Sequence, residues 1–577
     1  MDLNLSKWAK NWALMSRLFK ASEIALITGR LKNLRAQNIV FCSFENRFAK
    51  SGGLAAVTTN ILPYLKEAHK IPNVILMTPF YPNIMDKAKL NPTGKSFSIP
   101  FNNGDVQVDL FAYTWNYDKP ASGSVTEYYL KADGFFESGK TLKDPYLYTE
   151  VSTQLNDHAM RESSLFYCMA VPQAMNILGI RENIVFHLQE WQTALISLTA
   201  KVAMLNKTLD SCGTAQTMHN SYDMFIPFDL LSQLTDGLSR NKLSSIPGDG
   251  LTAYQIGLQL CDAPVTTVSE HFAQELTSDI LQTDYFAPHL LPIFRESGVY
   301  GIDNGAFMEL SPNYPEKEET PLDELKKIKL QKRKALLKIL STYKPKESIG
   351  GLTYNGRTIS RLPENIPIVL MSGRYDPMQK GYDIMLRATE KFSEDEIKVI
   401  MTPLTFHDPD LDYFYEVACK CKGNLIVYPF RVEKGYSELQ TGVTFGIMPS
   451  IYEPFGAAVE YMANGTVNIG RATGGLMDQI DAECGFLYKE SAVFYTIENI
   501  RSFVETGDIV QTRKSNPWVQ NMADNLYDVL KQAVYIYQYR PDDYYKLILN
   551  GFQRVNSFTW GKNAGKYFEV YEKVAKI

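Results

Sequence analysis

The strongest constraint on the fold is a rhythm that the chain runs through twice. From Asn38 onward, short apolar runs alternate with segments of helical period. Ile39-Val40-Phe41-Cys42 reads as a buried strand, Leu54 to Leu65 as a helix and Val74 to Met77 as a second strand. Apolar runs of this length, separated by a loop and a helix, are parallel βαβ units. The segment from Asp105 to Thr149 breaks the rhythm with alternating patterning and many Tyr, Gly and Asp, as an inserted antiparallel excursion would. A helix at Asp157 to Leu178, a strand at Ile184 to His187, a helix at Trp191 to Leu205 and a strand ending near Thr217 restore it.

The second series starts at Ile366 to Met371. It continues through a helix at Gly381 to Phe392, a strand at Lys398 to Thr402, a helix at Pro409 to Cys419 and strands at Leu425 to Tyr428 and Phe445 to Met448. A helix at Gly456 to Ala463, a strand at Thr466 to Ile469 and a turn at Thr473-Gly474-Gly475 close it. Between the series, Pro312 to Lys346 is Pro-rich and then highly charged, with Lys326 to Leu340 helical, and reads as a domain connection. The expected fold class is therefore α/β, with two facing Rossmann-like domains. Open sheets bind at the carboxyl ends of their strands, which puts the expected active site in the interdomain cleft. The expected parts are a helical extension over 1–37, an N-terminal domain over 38–311, a linker over 312–350 and a C-terminal domain over 351–545.

The chain has 577 residues, more than a single core usually holds. Its formal charge of -5 lacks the basic field of nucleic-acid binders, so no nucleic-acid partner is expected. No apolar run approaches the length of a membrane span, so no membrane partner is expected either. The seven cysteines form no disulfide framework, and Cys419-x-Cys421 has no second ligand pair beside it. The reading is a reducing cytoplasm, no metal and no cofactor. Residues 1–36 carry Lys7, Lys10, Arg17 and Lys20 among their apolar positions and read as an amphipathic arm, packed or solvated, rather than a signal peptide.

Four glycine-rich or charged turns stand where strands end and helices begin. Lys50-Ser51-Gly52-Gly53 opens a helix whose free N–H groups suit an anion, although most such loops are only tight turns. Arg374 and Lys380, in Gly373-Arg374-Tyr375-Asp376 and Gln379-Lys380-Gly381, are spaced to converge on one anion. Glu453, in Glu453-Pro454-Phe455-Gly456, offers a carboxylate to sugar hydroxyls or to a helix end. Thr473-Gly474-Gly475 opens another helix.

Taken in order, these motifs resemble those of the bacterial glycogen synthase and plant starch synthase family, whose fold is the two-domain GT-B architecture. The carriers are Lys50-Ser51-Gly52-Gly53-Leu54-Ala55-Ala56-Val57, Pro79-Phe80-Tyr81-Pro82, His187-Leu188-Gln189-Glu190-Trp191 and Thr217-Met218-His219-Asn220. Asp262 to Ser269, Gly301-Ile302-Asp303-Asn304-Gly305, Glu453-Pro454-Phe455-Gly456, Thr473-Gly474-Gly475-Leu476 and Phe558-Thr559-Trp560 extend the likeness over about residues 38–575.

The resemblance implies a retaining glucosyltransferase acting from ADP-glucose or UDP-glucose onto an α-1,4-glucan, with no obligatory metal. It implies a nucleotide-sugar-binding C-terminal domain and a helix over 546–577 that returns to the N-terminal, acceptor-side domain. It assigns the diphosphate to Arg374 and Lys380, and the glucosyl hydroxyls or phosphate to Glu453, Thr473, Gly474 and Gly475. Lys50, Gly52 and Gly53 approach the donor from the N-terminal domain, and His219 and Asn220 line its wall. Two positions depart from the family pattern. Gln189 stands where the family has a catalytic His, and Ala56 where it has an Asp. Two further readings follow: a glucan- or nucleotide-binding protein that has lost turnover, and a GT-B transferase with another acceptor.

Overall fold

The computed structural model describes residues 3–5, 8–50, 52–68, 71–82, 90–102, 104–136, 158–235, 243, 245–307, 320–342, 362–404, 411–421, 424–428, 435–504 and 513–576. Ser51 of the first glycine loop, residues 137–149 of the expected excursion and the Pro-rich stretch 312–319 fall outside them. The chain forms two compact units, Met1–Gly305 with Trp560–Ile577, and Ala306–Thr559.

The first unit is built on β1 (Asn38–Cys42), β2 (Asn73–Pro79), β3 (Asn91–Phe101), β4 (Gly104–Tyr117), β5 (Gly123–Lys131), β6 (Ile184–Gln189) and β7 (Cys212–Met218). A separate antiparallel pair, β8 (Phe225–Pro227) and β9 (Gly250–Thr252), precedes β10 (Val265–Thr267) and β11 (Val299–Gly301). Nine strands form one sheet in the order β11-β10-β7-β6-β1-β2-β5-β4-β3. The strands from β11 to β5 are parallel, and β4 and β3 continue antiparallel. β1, β6 and β7 are buried at every residue, because helices cover both faces of a parallel sheet. The antiparallel excursion begins at Asn91, earlier than the expected Asp105. Pro92, Gly94 and Pro100 disguise β3 in the sequence, and they are tolerated because β3 lies at the edge of the sheet.

The N-terminal arm is packed. Its helices Ala13–Leu18 and Ala21–Lys32 bury Leu14, Met15, Leu18 and Ile27. The Lys10 ammonium pairs with the Asp262 carboxylate, and Ala36 and Lys576 link the arm to the chain's end through main-chain bonds. The helix Trp560–Tyr571 packs on Leu54–Ala68 and sends the Tyr571 hydroxyl to His187 Nδ1 at 2.7 Å. His187 Nε2 meets Thr217 Oγ1 at 2.7 Å, so this imidazole is a core anchor, and burial lowers its pKa to about 3.

The second unit carries β12 (Ile368–Arg374), β13 (Lys398–Leu404), β14 (Leu425–Val427), β15 (Phe445–Met448), β16 (Val467–Arg471) and β17 (Gly485–Tyr488). All are parallel, in the order β14-β13-β12-β15-β16-β17. The helix Leu322–Thr342, expected within a linker, is part of this unit. Leu336 and Leu340 join its core with Ile368, Leu370 and Val443, and the buried Lys329 donates to the Thr441 and Gly465 carbonyls. The helix Pro541–Val555 also stays here, with the Tyr544 hydroxyl on the Thr444 carbonyl at 3.0 Å. The chain re-enters the first unit at Trp560 rather than near 546.

Candidate functional site

A doubly wound sheet opens a crevice where its strand order reverses, outside the carboxyl ends of the two diverging strands. In the first unit that point lies between β1 and β6, and in the second between β12 and β15. The last residues of these four strands and the loops after them hold Lys50, Gly52, Gly53, Gln189, Arg374, Lys380 and Glu453, while His219 and Asn220 follow β7 and Thr473, Gly474 and Gly475 follow β16.

In the second unit, Arg374 ends β12 and is half-buried. The chain then turns through Asp376, whose carbonyl accepts the Lys380 N–H, and enters the next helix at Gly381. Gly381 has φ 66°, and a Cβ there would stand 2.1 Å from the Pro449 carbonyl oxygen, so this turn requires glycine. The close approach joins the two loops, as does the Ile451 N–H on the Gln379 carbonyl at 2.7 Å. Across this junction Lys380 Nζ donates to Glu453 Oε2 at 2.8 Å, and the Ser450 hydroxyl donates to the same oxygen at 2.8 Å. Behind them, the buried guanidinium of Arg471 grips Glu490 through two nitrogens and donates to the Ile451 carbonyl at 2.5 Å. The buried Arg513 similarly braces the Arg374–Lys380 turn by donating to the Pro377 carbonyl at 2.5 Å.

Thr473, Gly474 and Gly475 follow β16 and begin the six-residue helix Gly474–Gln479. The Gly475 N–H donates to the Glu453 carbonyl at 2.9 Å, so it is committed to the protein. A Cβ on Gly475 would stand 2.3 Å from the Phe455 carbonyl oxygen. This glycine lets two main-chain segments cross beside Glu453.

In the first unit, Gln189 is the last residue of β6 and has no solvent-accessible surface. Its Oε1 accepts from His219 Nε2 at 2.7 Å, and among the described residues its Nε2 has no acceptor. Burial lowers the His219 pKa to about 3, which keeps that ring neutral. Glu190 follows with φ 64° and ψ 172°, a conformation that costs a non-glycine residue about 1–3 kcal/mol. It is held there by its partners. Asn220 Nδ2 donates to Glu190 Oε1 at 2.9 Å, the Tyr254 hydroxyl donates to Oε2 at 2.8 Å, and the Glu190 N–H bonds the Thr217 carbonyl. Burial raises the Glu190 pKa to about 8, against the pull of the Tyr254 hydroxyl, and the nearby Glu45 carboxylate adds to the rise.

Lys50, Gly52 and Gly53 are exposed after β1. Two of the main-chain N–H groups at this loop are taken from within the protein. Glu45 Oε2 accepts the Gly52 N–H at 2.8 Å and the Ala55 N–H at 3.2 Å. Sequence reasoning missed Glu45 because no motif contains it. The available signal was an acidic residue shortly before a glycine-opened helix, where the helix end favours negative charge. Glu490 and Arg513 were missed for a similar reason: each lies far along the chain from the turn it braces. Cys419 and Cys421 are free thiols, and among the described residues no group of three His, Cys, Asp or Glu is arranged to hold a metal.

The parallel strands of both sheets contain the 3-2-1-4-5-6 order of the doubly wound class, with one more parallel strand, β11, in the first sheet, and two such sheets define the GT-B glycosyltransferase architecture. Residues 38–286 match the family described as Starch synthase catalytic domain, and residues 355–517 match Glycosyl transferases group 1. The chain is similar to the glycogen synthase of Elusimicrobium minutum, 25% identical over 549 residues, covering 93% of this chain and 99% of that protein. It is likewise 25% identical over 554 residues to the glycogen synthase of Oceanobacillus iheyensis, covering 93% and 98%. The catalytic domain of starch synthase IV from Arabidopsis thaliana, solved bound to ADP and acarbose, superposes with a TM-score of 0.67 at 18% identity, covering 94% of this chain and 99% of that one. These matches make the chain similar, over both units, to the bacterial glycogen synthase and plant starch synthase family.

Proposed function

We propose that this protein is a retaining glucosyltransferase that moves glucose from a nucleoside diphosphate glucose, ADP-glucose or UDP-glucose, to the end of an α-1,4-glucan. The observation that carries this reading is the contact of Lys380 with Glu453 at the second unit's strand-order reversal, one turn from Arg374. It sets a cation for the departing diphosphate beside a carboxylate for the sugar's hydroxyls. Relatives named glycogen synthase that align over nearly the whole chain support the same assignment.

Breaking the bond between the anomeric carbon and the diphosphate oxygen leaves negative charge on the diphosphate and positive charge on the sugar ring. Arg374 and Lys380 are assigned to the first. They are held by the braces of Arg471 and Arg513, so little reorganisation accompanies the reaction. Glu453 is assigned to the sugar, with Thr473 and Gly474 at its edge and Gly475 shaping the turn. Lys50, Gly53, His219 and Asn220 are assigned to substrate binding by the first unit. Gln189 cannot carry a proton, so its assigned share is limited to neutral hydrogen bonding.

A second reading, a nucleotide- or glucan-binding protein without turnover, is favoured by one observation: Gln189 has no accessible surface. Nucleotide release from ADP-glucose and UDP-glucose, with and without glycogen, separates the two. Release that depends on the glucan supports transfer, and tight binding without release supports the second reading. We assign the protein to the cytoplasm; among the described residues no helix is long and apolar enough to cross a membrane.

A further inference from the structure

The segment joining β1 to the glycine-rich loop is bonded far more tightly than a connector needs to be. The Ser43 hydroxyl donates to the Glu45 carbonyl at 2.9 Å and accepts the Glu45 N–H at 3.1 Å. Asn46 Oδ1 accepts the N–H groups of Phe48 and Ala49, each at 3.0 Å, while its Nδ2 donates to Thr78 Oγ1 at 3.0 Å. The Tyr81 hydroxyl donates to the Phe44 carbonyl at 2.9 Å. Ser43, Glu45 and Asn46 are all buried. The base is fixed to β1 and β2 on both sides, and Glu45 projects from it to the loop, whose glycines Gly52 and Gly53 are exposed.

We propose that Glu45 is a positioning residue for the glycine-rich loop: by holding the N–H groups of Gly52 and Ala55, it fixes the loop's main chain before the donor arrives. This rests on the glucosyl-transfer reading above. A carboxylate on main-chain N–H groups at a helix start is a charge-assisted contact that needs no further ordering when substrate arrives. The Glu45 carboxylate adds negative charge beneath the loop, and the diphosphate is assigned to Arg374 and Lys380. The neighbouring Glu190, at the end of the adjacent β6, feels the same charge.

Two substitutions separate reach from charge. Glu45→Gln keeps the length and an accepting oxygen, whereas Glu45→Asp keeps the charge and falls one methylene short of the loop. For a positioning role, Glu45→Asp lowers kcat by about thirtyfold or more, since small misplacements near a reacting centre cost that much. Glu45→Gln stays within about fivefold of the parent, because a neutral acceptor keeps most of the contact. ADP or UDP affinity changes less than about twofold in both, because the diphosphate sits elsewhere. Amide exchange over residues 44–58, followed by mass spectrometry, speeds up in Glu45→Asp and not in Glu45→Gln. This readout needs no turnover, so it tests the clamp even if the parent transfers no glucose and the functional reading falls. Equal kcat in both variants and the parent would overturn the proposal. So would tighter binding of ADP or inorganic pyrophosphate in Glu45→Gln, which would show that Glu45 masks an anion site.

Discussion

Removing Lys380 tests the donor site at its centre. Its ammonium lies 2.8 Å from Glu453 Oε2, with the Lys side chain 25% exposed and the Glu side chain 8% exposed. Two unit charges about 4 Å apart near a protein surface interact by about 4 kcal/mol, which bounds what the cation gives a diphosphate oxygen at similar distance. Losing one preorganised donor of this kind typically costs about 10²–10³ in kcat. The fold should survive Lys380→Ala: the pair is partly wet, Ser450 still donates to Glu453, and such pairs contribute about 1 kcal/mol or less to stability. Glu453→Gln should also lower kcat. Because the two groups touch, the double variant should be less impaired than the sum of the singles, by about 0.5–3 kcal/mol. The assay is nucleotide release with a saturating glucan, beside a thermal melt. A Lys380→Ala enzyme with an intact fold and a rate within about threefold of the parent would refute the assignment, and strict additivity would refute their action on one group.

Asp262→Ala should strip the buried Lys201 of its 2.9 Å partner and lower the first unit's stability by about 3–5 kcal/mol in urea; a loss below about 1 kcal/mol would contradict a buried ionic clamp. Burial pushes the Asp262 pKa up, but Lys10 and Lys201 outweigh it and hold the group at about 2. Against an unfolded value of about 3.9, that depression contributes stability that is present above about pH 4 and lost as pH falls toward 2, readable as an acid-side drop in melting temperature absent from Asp262→Asn. Gly475→Ala should cut kcat at least about tenfold, since its Cβ would meet the Phe455 carbonyl at 2.3 Å and push the main chain beside Glu453; an unaffected rate would show that the crossing is not needed. Transfer should persist in excess EDTA, because Arg374 and Lys380 supply the positive charge, and a strict requirement reversed by added Mg²⁺ would contradict that.

The sheets were legible because their strands are short apolar runs buried on both faces, and such runs stand out against any flank. Phe445–Met448 was read to the residue, and Lys398–Leu404 to within two residues at one end. The helix expected at Trp191 to Leu205 is two helices meeting at Leu195, a break that its uniformly apolar sequence does not signal. β3 was hidden by prolines that only an edge position excuses. Leu322–Thr342 looked like a linker because its charges are conspicuous, while the residues that seat it, Leu336 and Leu340, are ordinary leucines. Glycine turns and charged residues at strand ends were visible as site candidates. What they bond to was not. The Lys380–Glu453 contact and the Arg471–Glu490 brace are each made by residues whose nearness only the folded chain creates.

The central claim is glucosyl transfer from a nucleoside diphosphate glucose to a glucan. Its most direct measurement is chain-length analysis of a maltooligosaccharide acceptor incubated with ADP-glucose or UDP-glucose, with nucleotide release followed in the same tube. The account predicts products longer by whole glucose units, joined by α-linkages, in step with the nucleoside diphosphate released, and neither in Lys380→Ala at matched times. Bound nucleotide with no lengthened glucan and no release, from either donor, would contradict it.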